Sequence, residues 1–383
     1  MKRLPRVLLA LALVLPGADA AAQAAATPTA PAGPSAPTVA SLPAQPLLVQ
    51  GRDGQDLNFD LLFDNPGATA LQLVGVEATW YGRDGRFLGQ RRLDRNGDDT
   101  TMGIATVPNR TLPAHGRLVL FNPFQHFPAN AWLGDVRYEA VFSAGDDAPE
   151  QRVALRVAPR AWQPKTVLSL PLAGPVFVHD GHDFTAHHRR LDITGGMTTH
   201  FGIRANFMRY AHDFVVADGE GKLYRGDGAK PEDWYGYGAP ILATGDGVVV
   251  EMHDGMADNR KGGAPPFDRE AIMKNLKLFL GNYAIIDHGN GEFSLFAHMR
   301  QGSVKVHPGQ RVARGEQVGA MGMSGDAFLV HLHYQLQSDA GFGEGLPAVF
   351  EGVRFATGTA DGWTAPAASP VDSGDLVLSA APR

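Results

Sequence analysis

From about residue 46 to 158, apolar side chains recur at every second position. Leu57, Phe59, Leu61 and Phe63 alternate with polar neighbours, and Leu71 with Leu73, then Val76, Ala78 and Trp80, do so after a shift of face. Val136, Tyr138, Ala140 and Phe142 repeat the pattern, and Val153, Leu155 and Val157 follow. Asn65-Pro66-Gly67, Arg83-Asp84-Gly85 and Asn96-Gly97 supply turn chemistry between these runs. About seven short strands so spaced predict an immunoglobulin-like β-sandwich. Nothing in this half has the look of catalysis.

The second half is also written in short strands. Tyr283-Ala284-Ile285-Ile286, Phe293-Ser294-Leu295-Phe296-Ala297 and the pieces around Val312 and Val318 are apolar runs. They are cut by glycines at turns that call for positive φ. One stretch departs from period two: Ile272, Leu276, Phe279 and Leu280 fall at helical spacing after Pro265-Pro266 and before Gly281. Another, residues 218–237, is rich in glycine and charge and carries Trp234, Tyr235 and Tyr237. Both, at 253–281 and 218–237, read as insertions that wall a groove, and for the one at 253–281 a packed surface helix is an equal reading.

The start of the chain has a different pattern. Lys2, Arg3 and Arg6 precede an apolar run from Val7 to Leu15, and Ala18-Asp19-Ala20 offers a small-x-small cleavage site. This predicts a signal peptide over 1–22, and therefore an exported protein, periplasmic or secreted. The apolar run is shorter than the ~20 residues a span needs, so no membrane span is expected after its removal. Residues 23–45, dense in Ala, Pro, Thr and Ser, read as a flexible leader. The 383 residues leave room for two further domains, placed at 46–158 and 196–340, with 159–195 connecting them and 341–383 as a C-terminal extension.

There is no cysteine, which excludes disulfides and thiol chemistry. Loss of the signal peptide moves the formal charge from −6 to −8. A field of that sign repels phosphate backbones, so nucleic acid is not an expected partner. Any metal chemistry must use histidine and carboxylate.

Val330-His331-Leu332-His333-Tyr334-Gln335-Leu336 is where that chemistry concentrates. On a strand, His331 and His333 share one face while Leu332 points to the other, which makes half a metal site. Taken alone, two hydrogen-bonded histidines on a strand would be the ordinary reading. Upstream, however, stand Gly238-Ala239-Pro240 to Val249, Asn282-Tyr283 to Gly289, Phe293 to His298 and Val312 to Gly325, in that order. The series resembles the lysostaphin and LytM-type zinc metallopeptidases, which are peptidoglycan endopeptidases. The resemblance covers about residues 196–340.

It implies a mainly β chain in which the immunoglobulin-like sandwich is followed by an antiparallel LytM-type metallopeptidase domain with an open groove. It also implies a Zn2+ cofactor and a peptidoglycan peptide as substrate. By the same resemblance His333 and Asp213 are metal ligands, and His298 and His331 are the two unligated catalytic histidines, with His331 the preferred base. The family's His-x3-Asp motif is broken here, because Arg209 stands four residues before Asp213 and cannot ligate. The role passes to the nearest upstream imidazole, His200. His212 competes, but on a strand it faces away from Asp213. His179-Asp180-Gly181-His182-Asp183 and His187-His188 read as a polar linker, although His188 and Asp192 have the motif's spacing. Two other functions compete with the endopeptidase: a catalytically degenerate wall-binding protein or amidase activator, and a zinc peptidase acting on secreted proteins.

Overall fold

The computed structural model describes residues 38–95, 103–265, 267–358 and 362–379. The expected signal peptide and most of the leader lie outside the described residues. Among the described residues no helix is long and apolar enough to cross a membrane.

The chain is mainly β, built from sheets that are antiparallel except where Arg160–Ala161 pairs in parallel with Leu47–Gln50. In the N-terminal half the alternating runs form three small sheets around one core. Asp60–Asp64 lies between Val39–Ser41 and Arg117–Phe121; Leu71–Gly82 and Leu133–Ser143 are the centre of a second sheet; Leu47–Gln50 and Gly54–Leu57 belong to a third. Phe59, Phe63, Tyr138 and Phe142, inward-facing by period two, fill this core with edge-on ring contacts. The end of the expected leader is itself a strand, since Val39–Ser41 pairs with Asp60–Asp64.

The second half is organised by one large sheet. Its order runs Arg311–Val312, Gly247–His253, Asn282–Asp287, Phe293–Met299, Leu332–Gln337, His212–Val215, Pro175–Asp180, Leu376–Ser379, Phe350–Phe355, Ala367–Ser369. Two sequence boundaries move as a result. Pro175–Asp180 falls in the stretch read as a connector, and the last three strands fall in the C-terminal extension, yet all are hydrogen-bonded members of this sheet. One face of the sheet covers a core that includes Phe214, Phe296, Leu332, Tyr334 and Phe350.

The two insertions differ. The helical spacing over 272–280 yields an α-helix Arg269–Lys274 and a separate 3-10 turn Leu276–Leu280. They divide at Asn275, which is extended and caps the second piece by accepting from Lys277 N. Residues 218–237 instead fold back on the main core, where Trp234 is buried and donates from Nε1 to Gly228 O at 3.0 Å.

The two halves meet through buried polar groups. Arg209 Nη1 lies 2.7 Å from Asp60 Oδ2, at an angle unlike that of a hydrogen bond, and its Nε is bonded to Glu344. Asn58 donates to the carbonyls of His182 and Arg209, and Tyr210 OH donates to Asn58 O. Arg209, the residue that breaks the expected motif, therefore points into the junction between the halves.

Candidate metal centre

Register brings the first residues together. Asp180 is paired with Asp213, and Asp213 with His333, across three neighbouring strands. Directly opposed residues share a face, so these three side chains form one row. His331, two positions before His333, lies on the same face, as do Gln335 and Gln337 after it.

Asp213 Oδ1 is 3.2 Å from His333 Nδ1 and 3.5 Å from His188 Nε2, and the two nitrogens are 3.2 Å apart. A tetrahedral zinc with bonds of about 2.0–2.1 Å holds neighbouring ligand atoms about 3.3–3.4 Å apart. The triangle His188, Asp213, His333 has that size, and all three residues are buried.

The hydrogen bonds behind the triangle fix which nitrogen faces inward. Gln337 Nε2 donates to Asp339 O at 2.7 Å and Gly341 O at 3.2 Å, so its oxygen accepts from Gln335 Nε2. Gln335 Oε1 must then accept from His333 Nε2–H, at 3.0 Å. This leaves the Nδ1 lone pair of His333 pointing into the triangle. Behind His188, Asp180 Oδ2 sits 3.4 Å from Nδ1, an ion-pair distance and not a directed hydrogen bond. A carboxylate there favours the tautomer with Nε2 bare, though without the directed hydrogen bond that usually orients a metal-binding histidine.

His298 and His331 complete the site without entering the triangle. Their rings are 4.6 Å apart. His298 Nδ1 donates to Ser324 O at 2.8 Å and His331 Nδ1 to Leu329 O at 2.9 Å, so each carries a free Nε2. The Nε2 of His331 is 3.4 Å from Asp213 Oδ1. His298 reaches this position by a local irregularity. Pairing with Asn282–Asp287 slips between Asn282↔Met299 and Ala284↔Phe296, and His298 adopts φ 59. Ala297 pairs with His333, so on a regular strand His298 would share the core-facing side of Phe296, and the left-handed bulge re-aims it toward His333.

The electrostatics suit neutral imidazoles around one carboxylate. Burial raises the Asp213 pKa, but His188, His331 and His333 crowd it and hold it well below the usual range. Burial pushes His298 and His331 down, with neighbouring histidines adding to the effect and Asp213 opposing it.

The sequence assignment of His200 is corrected. Its ring is on the surface, with Nε2 2.9 Å from Met273 O, on the short helix Gly196–His200 and not on the sheet row. His188 stands in the triangle in its place. The dismissed His187-His188 pair thus includes a residue of the centre, though not through spacing to Asp192, because the carboxylate it meets is Asp213. His212 faces the other side of the sheet, with Nε2 3.1 Å from Val371 O.

Beside the centre opens a cavity of about 250 Å³, lined by His188, His298 and His333 at one end. Ile203, Phe207, Leu276, Phe279 and Phe342 make its apolar walls. The insertion at 253–281 thus supplies part of this wall, as expected, while no residue of 218–237 is among the lining residues.

Comparison with known proteins bears on the same residues. The sequence profile of Peptidase family M23 matches residues 234–341. These residues belong to peptidase family M23. The M23 stretch carries His298, His331 and His333, whereas His188 and Asp213 precede it. Two curated relatives are similar over it, both from Vibrio cholerae serotype O1. Peptidoglycan DD-endopeptidase ShyA is 32% identical over 99 residues, and peptidoglycan DD-endopeptidase ShyC 31% over 98 residues. Each match takes in 26% of this chain and 17% of the relative, so the chain spans about a sixth of the length of the curated relatives it matches. Among solved structures, the catalytic domain of lysostaphin from Staphylococcus simulans is 20% identical, over 32% of this chain and 87% of that one, with a TM-score of 0.20. That score adds nothing to the fold described above.

Proposed function

We propose that this protein is an exported zinc metallo-endopeptidase that hydrolyses peptide bonds in the stems or cross-links of peptidoglycan. The observation that carries the reading is the convergence of His188, Asp213 and His333 at tetrahedral ligand spacing beside two histidines with free Nε2 atoms. His188, Asp213 and His333 would hold a divalent ion through two neutral nitrogens and one carboxylate, leaving it a net positive charge with which it would polarise a carbonyl and activate a water.

The chain's own residues supply the proton transfers. The free Nε2 of His331 or His298 accepts the proton of the attacking water, becomes a donor, and returns that proton to the leaving amine. The second histidine would donate to the oxygen on which charge develops only in the form that has taken a proton from solvent onto Nε2. Both rings are held by Nδ1–H bonds to backbone carbonyls, so neither must reorient during turnover. The M23 stretch and the two DD-endopeptidases similar to it support peptidoglycan as the substrate. The basic and apolar start of the chain supports export to where that polymer lies.

Purified sacculi incubated with the protein, with and without chelator, test this reading. Release of muropeptides that chelator abolishes and zinc restores is the expected result. A folded protein that binds wall material, releases nothing and holds no metal would point to the degenerate wall-binding alternative.

A further inference from the structure

His188 is not carried by the sheet that supplies Asp213 and His333. It opens a 3-10 turn, His188–Arg190, and the next residue is Arg189, whose side chain is fully buried. Arg189 Nη2 donates to Asn122 O at 2.8 Å, on the N-terminal side of the junction. The guanidinium also faces the Phe184 ring at 5.3 Å; burial pulls its pKa down to about 10, against the opposing charge of Asp60. The acceptor is rigid. Asn122 is itself fully buried: its N–H donates to Phe59 O, its Nδ2 to Leu57 O, and its Oδ1 accepts from Tyr138 OH and Phe124 N. From the opposite side, Asn206 Nδ2 donates to Arg189 O at 2.8 Å.

In a 3-10 turn successive side chains diverge by about a third of a turn. With Arg189 rooted in the N-terminal core, His188 is turned toward Asp213. An apolar side chain would fill the same space with less desolvation cost, so what the guanidinium contributes is direction. We infer that the N-terminal sheets are a structural part of the metal centre, and that Arg189 is a positioning residue that aims His188 through its bond to Asn122. This rests on His188 being a metal ligand.

The test is zinc affinity of the full chain, read by competition with a chromophoric chelator, for Arg189→Met, His188→Ala and the double variant. Arg189→Met should bind zinc about 10- to 100-fold more weakly, the range found for residues that orient a ligand. In the His188→Ala background the same substitution should change nothing further, because the residue acts only through His188. An equal loss with and without His188 would mean general loosening and would overturn the inference, as would parental affinity in Arg189→Met. Retention of full affinity by His188→Ala would instead sink the ligand assignment beneath it. Should Arg189→Met fail to fold, Arg189→Lys carries the test: the ammonium keeps the charge but loses the planar fork, and a several-fold loss confined to chains with His188 is expected. No loss there would overturn the inference.

Discussion

His188 and His331 both lie within reach of Asp213, and substitution separates the ligand and base roles proposed for them. His188→Ala should lose most of its bound zinc, since a two-ligand site holds the ion poorly, whereas His200→Ala should keep it. Elemental analysis of protein purified without added metal reads both. His331→Ala should retain the metal and lose about 10²- to 10⁴-fold in turnover, the usual contribution of a positioned general base. At this scale the sequence was readable where period two applied. That His331 and His333 share a face and that His212 faces away from Asp213 follow from strand faces alone, while the roles of His331, His333 and Asp213 came from the family pattern. His188 was not readable, because its partner is set by a turn packed against another part of the fold and not by spacing along the chain. Arg209 added to the difficulty: it occupies the motif position for a reason that lies in Asp60 and Glu344. His298 was placed by resemblance, but nothing in Ala297-His298-Met299 announces the bulge that turns its ring inward.

Among the elements, the cavity wall formed by Leu276–Leu280 is tied to the sheet through Glu251, which bonds both Lys277 and Tyr283 OH. Burial raises the Glu251 pKa, but these two partners outweigh it and the net shift is downward from 4.5. A depressed carboxylate stabilises the folded form above its unfolded value and loses that contribution as pH falls through the folded one. Hydrogen-exchange protection over 276–280 should therefore drop on acidification below the ordinary glutamate range. Glu251→Gln should show the reduced protection already at neutral pH and little further change; undiminished protection in that variant would count against the tie. The helical periodicity here was legible, but the break at Asn275 was not. Its side chain competes for the backbone and starts a second, tighter turn.

For the whole molecule, the strand alternation revealed a mainly β chain and located both cores, but not how the halves join. The junction is polar: Asp60, Arg209, Arg189, Asn58 and Asn122 are buried in it. Such residues look like surface in a pattern of apolar and polar positions. Asp60→Ala would remove the buried carboxylate beside Arg189 and Arg209, leaving Arg209 with Glu344, and should destabilise the chain by about 3–5 kcal/mol. Denaturant unfolding followed by tryptophan fluorescence measures it. If the junction couples the halves, Trp80 in one and Trp234 in the other report a single transition in the parent chain.

The strand that carries Asp180 lies between His212–Val215 and Leu376–Ser379. The last described strand of the polypeptide is thus a direct neighbour of the one that supports the first ligand. During synthesis, a chain made only as far as Gln337 has every histidine of the site and still lacks one neighbour of the strand that holds Asp180. Pairings between segments so far apart in sequence are slow to form. Completion of the strand that holds Asp180 thus waits on a segment far downstream of every histidine of the site, a delay written into the order of the strands.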